Sequence, residues 1–280
     1  MELLKRIIIL LLRIAGVAAL IVTLVLFLFK LEEKRPVEQA EVIFARTGND
    51  ADCAVLLSRS SCVIIDTGEE EDGLHILELL KEKNVSKIDC LILTHPDKDH
   101  IGSASRLLEN LSVNMIIMPY YMKDNDRLQV LREQMERMKA PVVTLARSRE
   151  FVFGDLEIRV FPPDKFSYDK DNNYSLITLA EHGNVRMLFT GDAQRERLEE
   201  MEAYSIGEVY LYKVPYHGRG SKKGESIIKQ LKPQIAVITA SEADPDITEA
   251  LTQENTQIFY TVSGKDLRFV SDGKQLVPEE

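Results

Sequence analysis

The chain has 280 residues, 45% of them apolar, which is enough to build a core and too much for a disordered segment. A formal charge of −10 excludes sequence-independent nucleic-acid binding through a broadly basic surface and leaves only a local basic patch open. Cys53, Cys62 and Cys90 fit neither a disulfide framework nor zinc-finger spacing. Cys53 and Cys62 flank an expected hairpin, so both a bridge outside the cell and a place in the core are open to them.

Residues 1–6 are a short flank carrying Lys5 and Arg6. The apolar run Ile7–Phe29, interrupted by Arg13 and Thr23, is long enough at about 1.5 Å per residue to cross a hydrocarbon layer of about 30 Å. The alternative is a cleaved signal peptide, but no small-x-small cleavage site follows Phe29, and the run reads as a retained single-pass transmembrane helix in the cell membrane. Counting Arg13 with Lys5 and Arg6 sets the N-terminus in the cytoplasm and the catalytic domain outside it. Residues 30–39 form a charged linker, and residues 40–280 are expected to fold as one α/β domain.

Within that domain, 41–45 and 54–58 read as strands joined by the polar turn Thr47–Asp52, and the β-branched run 62–66 ends in Asp66-Thr67-Gly68. Apolar residues at 74, 77 and 80 mark a helix, and the apolar strand 88–93 runs straight into His95. A helix over 103–110, a strand over 115–118 and a helix from 125 to 139 follow, the last with Leu128, Leu131, Met135 and Met138 on one face. Residues 141–146 form a strand. Phe151–Phe161 is a hairpin with Gly154-Asp155 at its tip, and 175–180 with 185–189 form a second hairpin running into Thr190-Gly191-Asp192. A helix over 194–203 and a strand over 209–214 lead to Pro215-Tyr216-His217-Gly218. The tail alternates helix and strand and closes with a hairpin across Ser271-Asp272-Gly273.

In His95-x-Asp97-x-Asp99-His100, imidazoles and carboxylates crowd a segment too short to bury them unpaired, and a divalent cation is the usual resolution of such a cluster. Three other strand ends carry Asp66, Asp192 and His217, each near a glycine that permits a tight turn. The runs IDTG at 65–68, THPDKDHIG at 94–102, NNYSL at 172–176, TGDA at 190–193 and KVPYHG at 213–218 resemble, in this order, the motifs of the metallo-β-lactamase superfamily. They look most like the metallo-hydrolase domain of ComEC-type competence proteins, over about residues 40–245. The resemblance implies a four-layer αβ/βα sandwich with two divalent ions, Zn or Mn with Mg also open, between its sheets.

Carried over residue by residue, the resemblance gives one metal His95 and Asp97, the other Asp99, His100 and His217, with Asp192 bridging and Asp66 orienting the ligands beneath. A further histidine usually precedes the bridging aspartate, and in that interval this chain has only His182. A turn centred between residues 182 and 183 would put His182 at the hairpin tip, roughly 30 Å from Asp192 at about 3.3 Å per residue, and bring Asn173 opposite Asp192. Asn173 is therefore the expected extra ligand or substrate contact, with Ser175 behind it. Aspartate at 97 makes the first site oxygen-rich, which shifts preference toward manganese or magnesium. Tyr216 replaces the first histidine of the family's paired histidines and either donates a proton or packs beside the site.

The chemistry this implies is attack by a hydroxide bridging the two ions, with Asp99, Asp192 and Tyr216 as catalytic residues. Lys213, Arg219, Lys222 and Lys223 surround His217 in an otherwise acidic chain, and Ser221 is placed to cap the next helix. Lys213, Arg219 and Lys222 are expected to bind an anionic substrate such as DNA or another phosphodiester; a solvated lysine-rich loop is the plainer alternative. Three functions stay open: a membrane-anchored phosphodiesterase or nuclease, a lactonase or other ester or amide hydrolase, and a silent binding module of the same fold.

Overall fold

In a computed structural model, the described residues are 16–18, 20–23, 38–123, 125–262 and 264–279. The chain divides into two units, residues 1–37 and 38–280. Of the first, residues 16–18 and 20–23 are helical. The expected span over Ile7–Phe29 falls largely outside the described residues, and among those described no helix is long and apolar enough to cross a membrane.

The second unit is built on two large sheets. The first has eight strands in the order Leu276–Glu279, Leu267–Ser271, Ala40–Phe44, Ala54–Ser58, Ser61–Ile65, Cys90–Ile92, Ile116–Met118 and Val142–Thr144. The second has seven, in the order Gln257–Tyr260, Ile235–Ile238, Leu211–Lys213, Val185–Phe189, Ile177–His182, Leu156–Phe161 and Arg149–Phe153. Their inner faces share one core: Val63, Ile65 and Ile92 from the first sheet meet Val160, Met187 and Val237 from the second. The alternate residues Ile64 and Leu91 face outward onto the helices Gly73–Glu82, Ala104–Asn110 and Asp126–Met138. Leu188 and Ile238 likewise meet Arg195–Met201, Lys222–Leu231 and Pro245–Gln253. Burial on both faces explains why these strands read as unbroken apolar runs, and the four layers are those of an αβ/βα sandwich.

Local chemistry sets the element ends. Asn125 accepts from the Leu128 amide at 2.9 Å and starts the helix Asp126–Met138, which stops where Lys139 turns left-handed (φ 54). Its buried face is Leu128, Leu131, Gln134 and Met135; Met138, expected inside, is exposed, and Gln134 replaces it by donating to the Ser105 carbonyl. The expected strand 88–93 is broken at Asp89, whose carboxylate accepts from the Cys62 amide. Lys87–Ile88 therefore pairs with Ser112–Val113 in a separate two-stranded sheet. All three cysteines are free and buried, which settles the choice between a bridge and the core. Burial pushes the thiols of Cys62 and Cys90 up to about 12, far from reactive thiolates.

The second hairpin differs from expectation in register. His182 pairs with Val185 and Thr178 with Phe189, so the turn is Gly183-Asn184, with Gly183 at φ 58. A Cβ at Gly183 would lie 2.5 Å from the Gly273 carbonyl, so the tip of this hairpin is pressed against the tip of the C-terminal one. Centring the turn one residue later than expected moves the partner of Asp192 by two residues, from Asn173 to Ser175. The exclusion of His182 from the site stands: its ring is held at 2.8 Å by Ser271.

The two sheets are locked by aromatic packing, with Phe44 stacked on Phe189 at 5.9 Å and Phe269 edge-on to both Phe44 and Phe259. Phe269→Ala is expected to destabilise the domain by about 3–5 kcal/mol, read by chemical denaturation. A loss below about 1 kcal/mol would mean that Leu267–Ser271 is not part of the cooperative core.

Candidate metal centre

The ends of the parallel strands converge on one place. Ile65 leads to Asp66, Leu93 to Thr94 and His95, Phe189 to Asp192, Val214 to His217, and Ile238 to Thr239. The loops between them are stitched through their main chains: Thr67 N donates to the His100 carbonyl at 2.7 Å, Gly102 N to Gly68 O at 2.9 Å and Asp52 N to Asp99 O at 3.0 Å. A short helix, Lys98–Ile101, turns Asp99 and His100 inward.

Each imidazole is tied by its Nδ1. His100 Nδ1 is 2.7 Å from Asp66 Oδ2, and Asp66 is itself fixed by the Thr94 amide and hydroxyl, each at 2.7 Å. His217 Nδ1 lies 3.2 Å from the Thr239 carbonyl and 3.1 Å from its hydroxyl. His95 Nδ1 sits 3.1 Å from Thr94 Oγ1 and 3.4 Å from Ser175 Oγ. Tying Nδ1 fixes where Nε2 points, which is how metal-binding histidines are oriented. The Nε2 of His100 is 3.2 Å from Asp192 Oδ1 and 3.5 Å from Asp99 Oδ2. That of His217 is 3.1 Å from Asp99 Oδ2 and 3.2 Å from Asp192 Oδ2, and that of His95 is 3.6 Å from Asp97 Oδ2.

These donors fit a divalent metal. His95 Nε2, His100 Nε2 and Asp192 Oδ1 are buried without a hydrogen-bond partner among the described residues, a costly arrangement unless a cation joins them. Asp52, His100, Asp192 and His217 each offer an atom within 4.8 Å of the others'. The nitrogen and carboxylate mixture suits zinc or manganese, and the more open Asp97, with its side chain 35% exposed, adds oxygen on the His95 side.

The structure places the remaining expected residues as follows. Asn173 turns its side-chain oxygen to the Gln194 amide at 3.1 Å, at the start of the helix Arg195–Met201, and it is Asn172 whose amide reaches Asp192 Oδ2 at 3.1 Å. This corrects the role expected of Asn173, and the cause is the hairpin register. Ser175, opposite Asp192, accepts from the Asp192 amide at 3.0 Å. Lys213 is also corrected: it is buried, its ammonium contacts Asp52 and donates to the Gly191 carbonyl at 3.0 Å, and it cannot meet a substrate. The strand Leu211–Lys213 is buried along its whole length and ends beneath the site, so its last side chain points inward. Arg219 and Lys222 are exposed; Arg219 lies 4.8 Å over the Tyr216 ring and 3.4 Å from Asp50. Tyr216 and His217 both adopt left-handed backbone, φ 51 and 52, which is how this short turn presents His217 inward. Ser221 caps the helix Lys222–Leu231 by accepting from Gly224 N.

Two contributors had no sequence signal of their own. In sequence Asp52 is only part of a polar turn, yet it is buried behind the histidines. Arg197, fully buried, donates to the carbonyls of Ser175 and Phe161 and so fixes the segment under Asp192; its only mark is a basic residue between Arg195 and Leu198.

The carboxylates also favour the protonated forms of His100 and His217. Burial alone would lower His217, but Asp192 and Asp99 outweigh it and raise its pKa to about 9; His100, likewise opposed by burial, is raised well above its ordinary value by Asp192, Asp52 and Asp66. Against the opposing effect of burial, His100 and His217 hold Asp192 well below the usual carboxylate range, and the His217 hydrogen bond holds Asp99 at about 2. Because the folded pKa of His217 is raised, this imidazolium stabilises the metal-free fold fully below about 6.5, and the contribution fades as pH rises through about 9. A divalent ion must displace that proton, so affinity should climb about tenfold per pH unit for each proton displaced between pH 7 and 9. Calorimetry in buffers of different ionisation enthalpy should register proton release; a flat affinity over that range would contradict the arrangement.

The chain matches the metallo-beta-lactamase superfamily over residues 46–241. It is 31% identical over 172 residues to ComE operon protein 3 of Bacillus subtilis (strain 168), an alignment covering 60% of this chain and 22% of that protein. It is 24% identical over 196 residues to Recombination protein 2 of Haemophilus influenzae, covering 68% of this chain and 23% of that one. The chain thus spans less than a quarter of the length of these relatives. In fold, it is similar to the metallo-beta-lactamase fold protein YhfI from Bacillus subtilis, with a TM-score of 0.57 and 11% identity over 82% of this chain and 99% of that chain. The chain belongs to the metallo-beta-lactamase superfamily.

Proposed function

We propose that this protein is a metal-dependent hydrolase acting on a phosphodiester, with nucleic acid as its substrate class. The observation that carries the reading is the set of three Nδ1-tethered imidazoles, with His95 Nε2, His100 Nε2 and Asp192 Oδ1 buried without a hydrogen bond among the described residues and the His95 ring 4.0 Å from that of His100. His100, His217, Asp99 and Asp192 would hold one divalent ion, and His95, Asp97 and Asp192 a second. Bound there, such ions supply Lewis acidity and lower the pKa of a hydrolytic water.

The chain's own residues do the rest. Asn172 and the Ser175 hydroxyl steady Asp192. The Tyr216 hydroxyl, at a partly exposed position with no hydrogen bond among the described residues, can hand a proton to a leaving oxygen. Arg219 and Lys222 present positive charge beside the capped start of the helix Lys222–Leu231, which suits a phosphate. A relative named Recombination protein 2 adds a pointer to DNA. The run Ile7–Phe29 suits a single-pass anchor, with residues 30–39 as linker and residues 40–280 as a domain outside the cytoplasm.

A second reading, hydrolysis of a lactone or other ester, is favoured by one observation: the exposed pair Tyr120 and Phe166, edge-to-face at 5.6 Å. It flanks the segment carrying Asn172, since Lys123 and Tyr121 both bind Asp171.

The full chain in detergent, loaded with zinc or manganese, is expected to hydrolyse bis-p-nitrophenyl phosphate and single-stranded DNA. His217→Ala and Asp192→Asn should lower the rate by more than about 100-fold. Turnover of acyl substrates alone would move the assignment to the second reading. Two bound metals with no turnover of either class would leave a binding module.

A further inference from the structure

The group Asp52, His100, Asp192 and His217 looks like one ligand set, but the two faces of the imidazoles separate its members. Asp99 and Asp192 lie on the Nε2 side of His100 and His217. Asp52 lies behind them: its carboxylate is 3.7 Å from His100 Nδ1 and 3.5 Å from His217 Nδ1. Those nitrogens already face Asp66 and Thr239. A cation held by the two Nε2 atoms therefore has the rings between itself and Asp52.

The other neighbour of Asp52 is Lys213. Both side chains are buried, with residue exposures of 5% and 2%, and the ammonium contacts Asp52 Oδ2 directly. The same ammonium stands 3.7 Å from Asp192 Oδ1, an unbonded oxygen on the Nε2 side of the rings, whereas the likewise unbonded Asp52 Oδ1 lies on the Nδ1 side, 3.5 Å from His217 Nδ1. A buried ammonium needs a carboxylate partner, and two are within reach.

We propose that Asp52 is the counter-ion of Lys213 rather than a metal ligand, and that it acts as a positioning residue by keeping the buried ammonium off Asp192. The main chain supports this duty. Asp52 N donates to Asp99 O, and its carbonyl accepts from Gly68 N at 2.7 Å, so the carboxylate is anchored to the loops of the first sheet while it holds a lysine of the second. Without Asp52, Lys213 would swing onto Asp192 and compete with the cation for the same oxygen. Without either charge, the competition disappears. The inference rests on the metal-centre reading above.

The test is Co(II) titration of the full chain in detergent, followed by visible absorption, for the wild type, Asp52→Asn, and Asp52→Asn combined with Lys213→Met. Asp52→Asn should weaken Co(II) binding about 10–100-fold, and the double variant should return to within about fivefold of wild type with an unchanged Co(II) spectrum. A double variant that stays weaker than that, or shows an altered spectrum, identifies Asp52 as a ligand and overturns the proposal. If Asp52→Asn alone does not fold, the double variant against wild type decides by the same threshold. A double variant that cannot fold also counts against it, because joint replacement of a buried ion pair by uncharged side chains of similar size is tolerated when the pair has no further duty. A wild type that takes up no Co(II) removes the metal-centre reading and this inference together; uptake without rescue removes this one alone.

Discussion

An imidazole can bind a cation in a fixed direction only if its other nitrogen is held, and the centre of this protein is organised by that constraint. Asp66 meets it for His100, and it can do so because its left-handed backbone (φ 60) ends a buried strand in a turn that points the carboxylate back at Thr94. Thr94 then serves twice, donating to Asp66 and lying against His95 Nδ1. Thr239, on the second sheet, does the same for His217. The sheets are thus more than a scaffold for loops: the groups that aim the rings sit at the strand ends themselves, where the backbone is best fixed.

Gly191 shows how closely the halves approach. At φ 50, it would bring a Cβ within 2.8 Å of Thr94 Oγ1 and 2.9 Å of Ser175 Oγ, so a bare residue is required where the loop of Asp192 passes the first sheet. Its carbonyl is taken by Lys213, and Ser175 by the Asp192 amide. Arg197 secures the Ser175 carbonyl from below. Through these contacts, a charge buried in one layer and a helix on the outside both bear on the Asp192 carboxylate.

The parts of this arrangement legible in the sequence are those encoded locally. His95 to His100 announce themselves because four donor residues fall within six positions after an apolar strand, and Asp192 and His217 because each follows a strand and adjoins glycine. Asp52 is invisible for the opposite reason. It belongs to a turn whose composition is that of any solvated loop, and only the approach of the 66–69 and 94–102 segments buries it. Lys213 misleads because lysine near a motif reads as a substrate contact, whereas its place at the end of a wholly buried strand turns it inward. The sequence puts Asn173 ahead of Ser175, and gives no sign of Asn172, because hairpin arithmetic doubles any error in the turn centre, and the close contact of Gly183 with Gly273 at this turn joins residues some ninety positions apart in sequence. The apolar runs marked an α/β domain and the motif resemblance implied its sandwich, but neither showed the return of the C-terminal hairpin to the first sheet.

That return carries a consequence for how the molecule comes into being. Ala40–Phe44 pairs on one side with Ala54–Ser58 and on the other with Leu267–Ser271, with Ala40 opposite Ser271. During synthesis, the earliest strand of the domain therefore emerges with one hydrogen-bonding edge bare until the latest strands leave the ribosome. Its apolar inner face waits equally long for Phe269. A nascent chain of this design is sticky for most of its translation, and its yield in a cell will depend on how well that edge is shielded in the meantime.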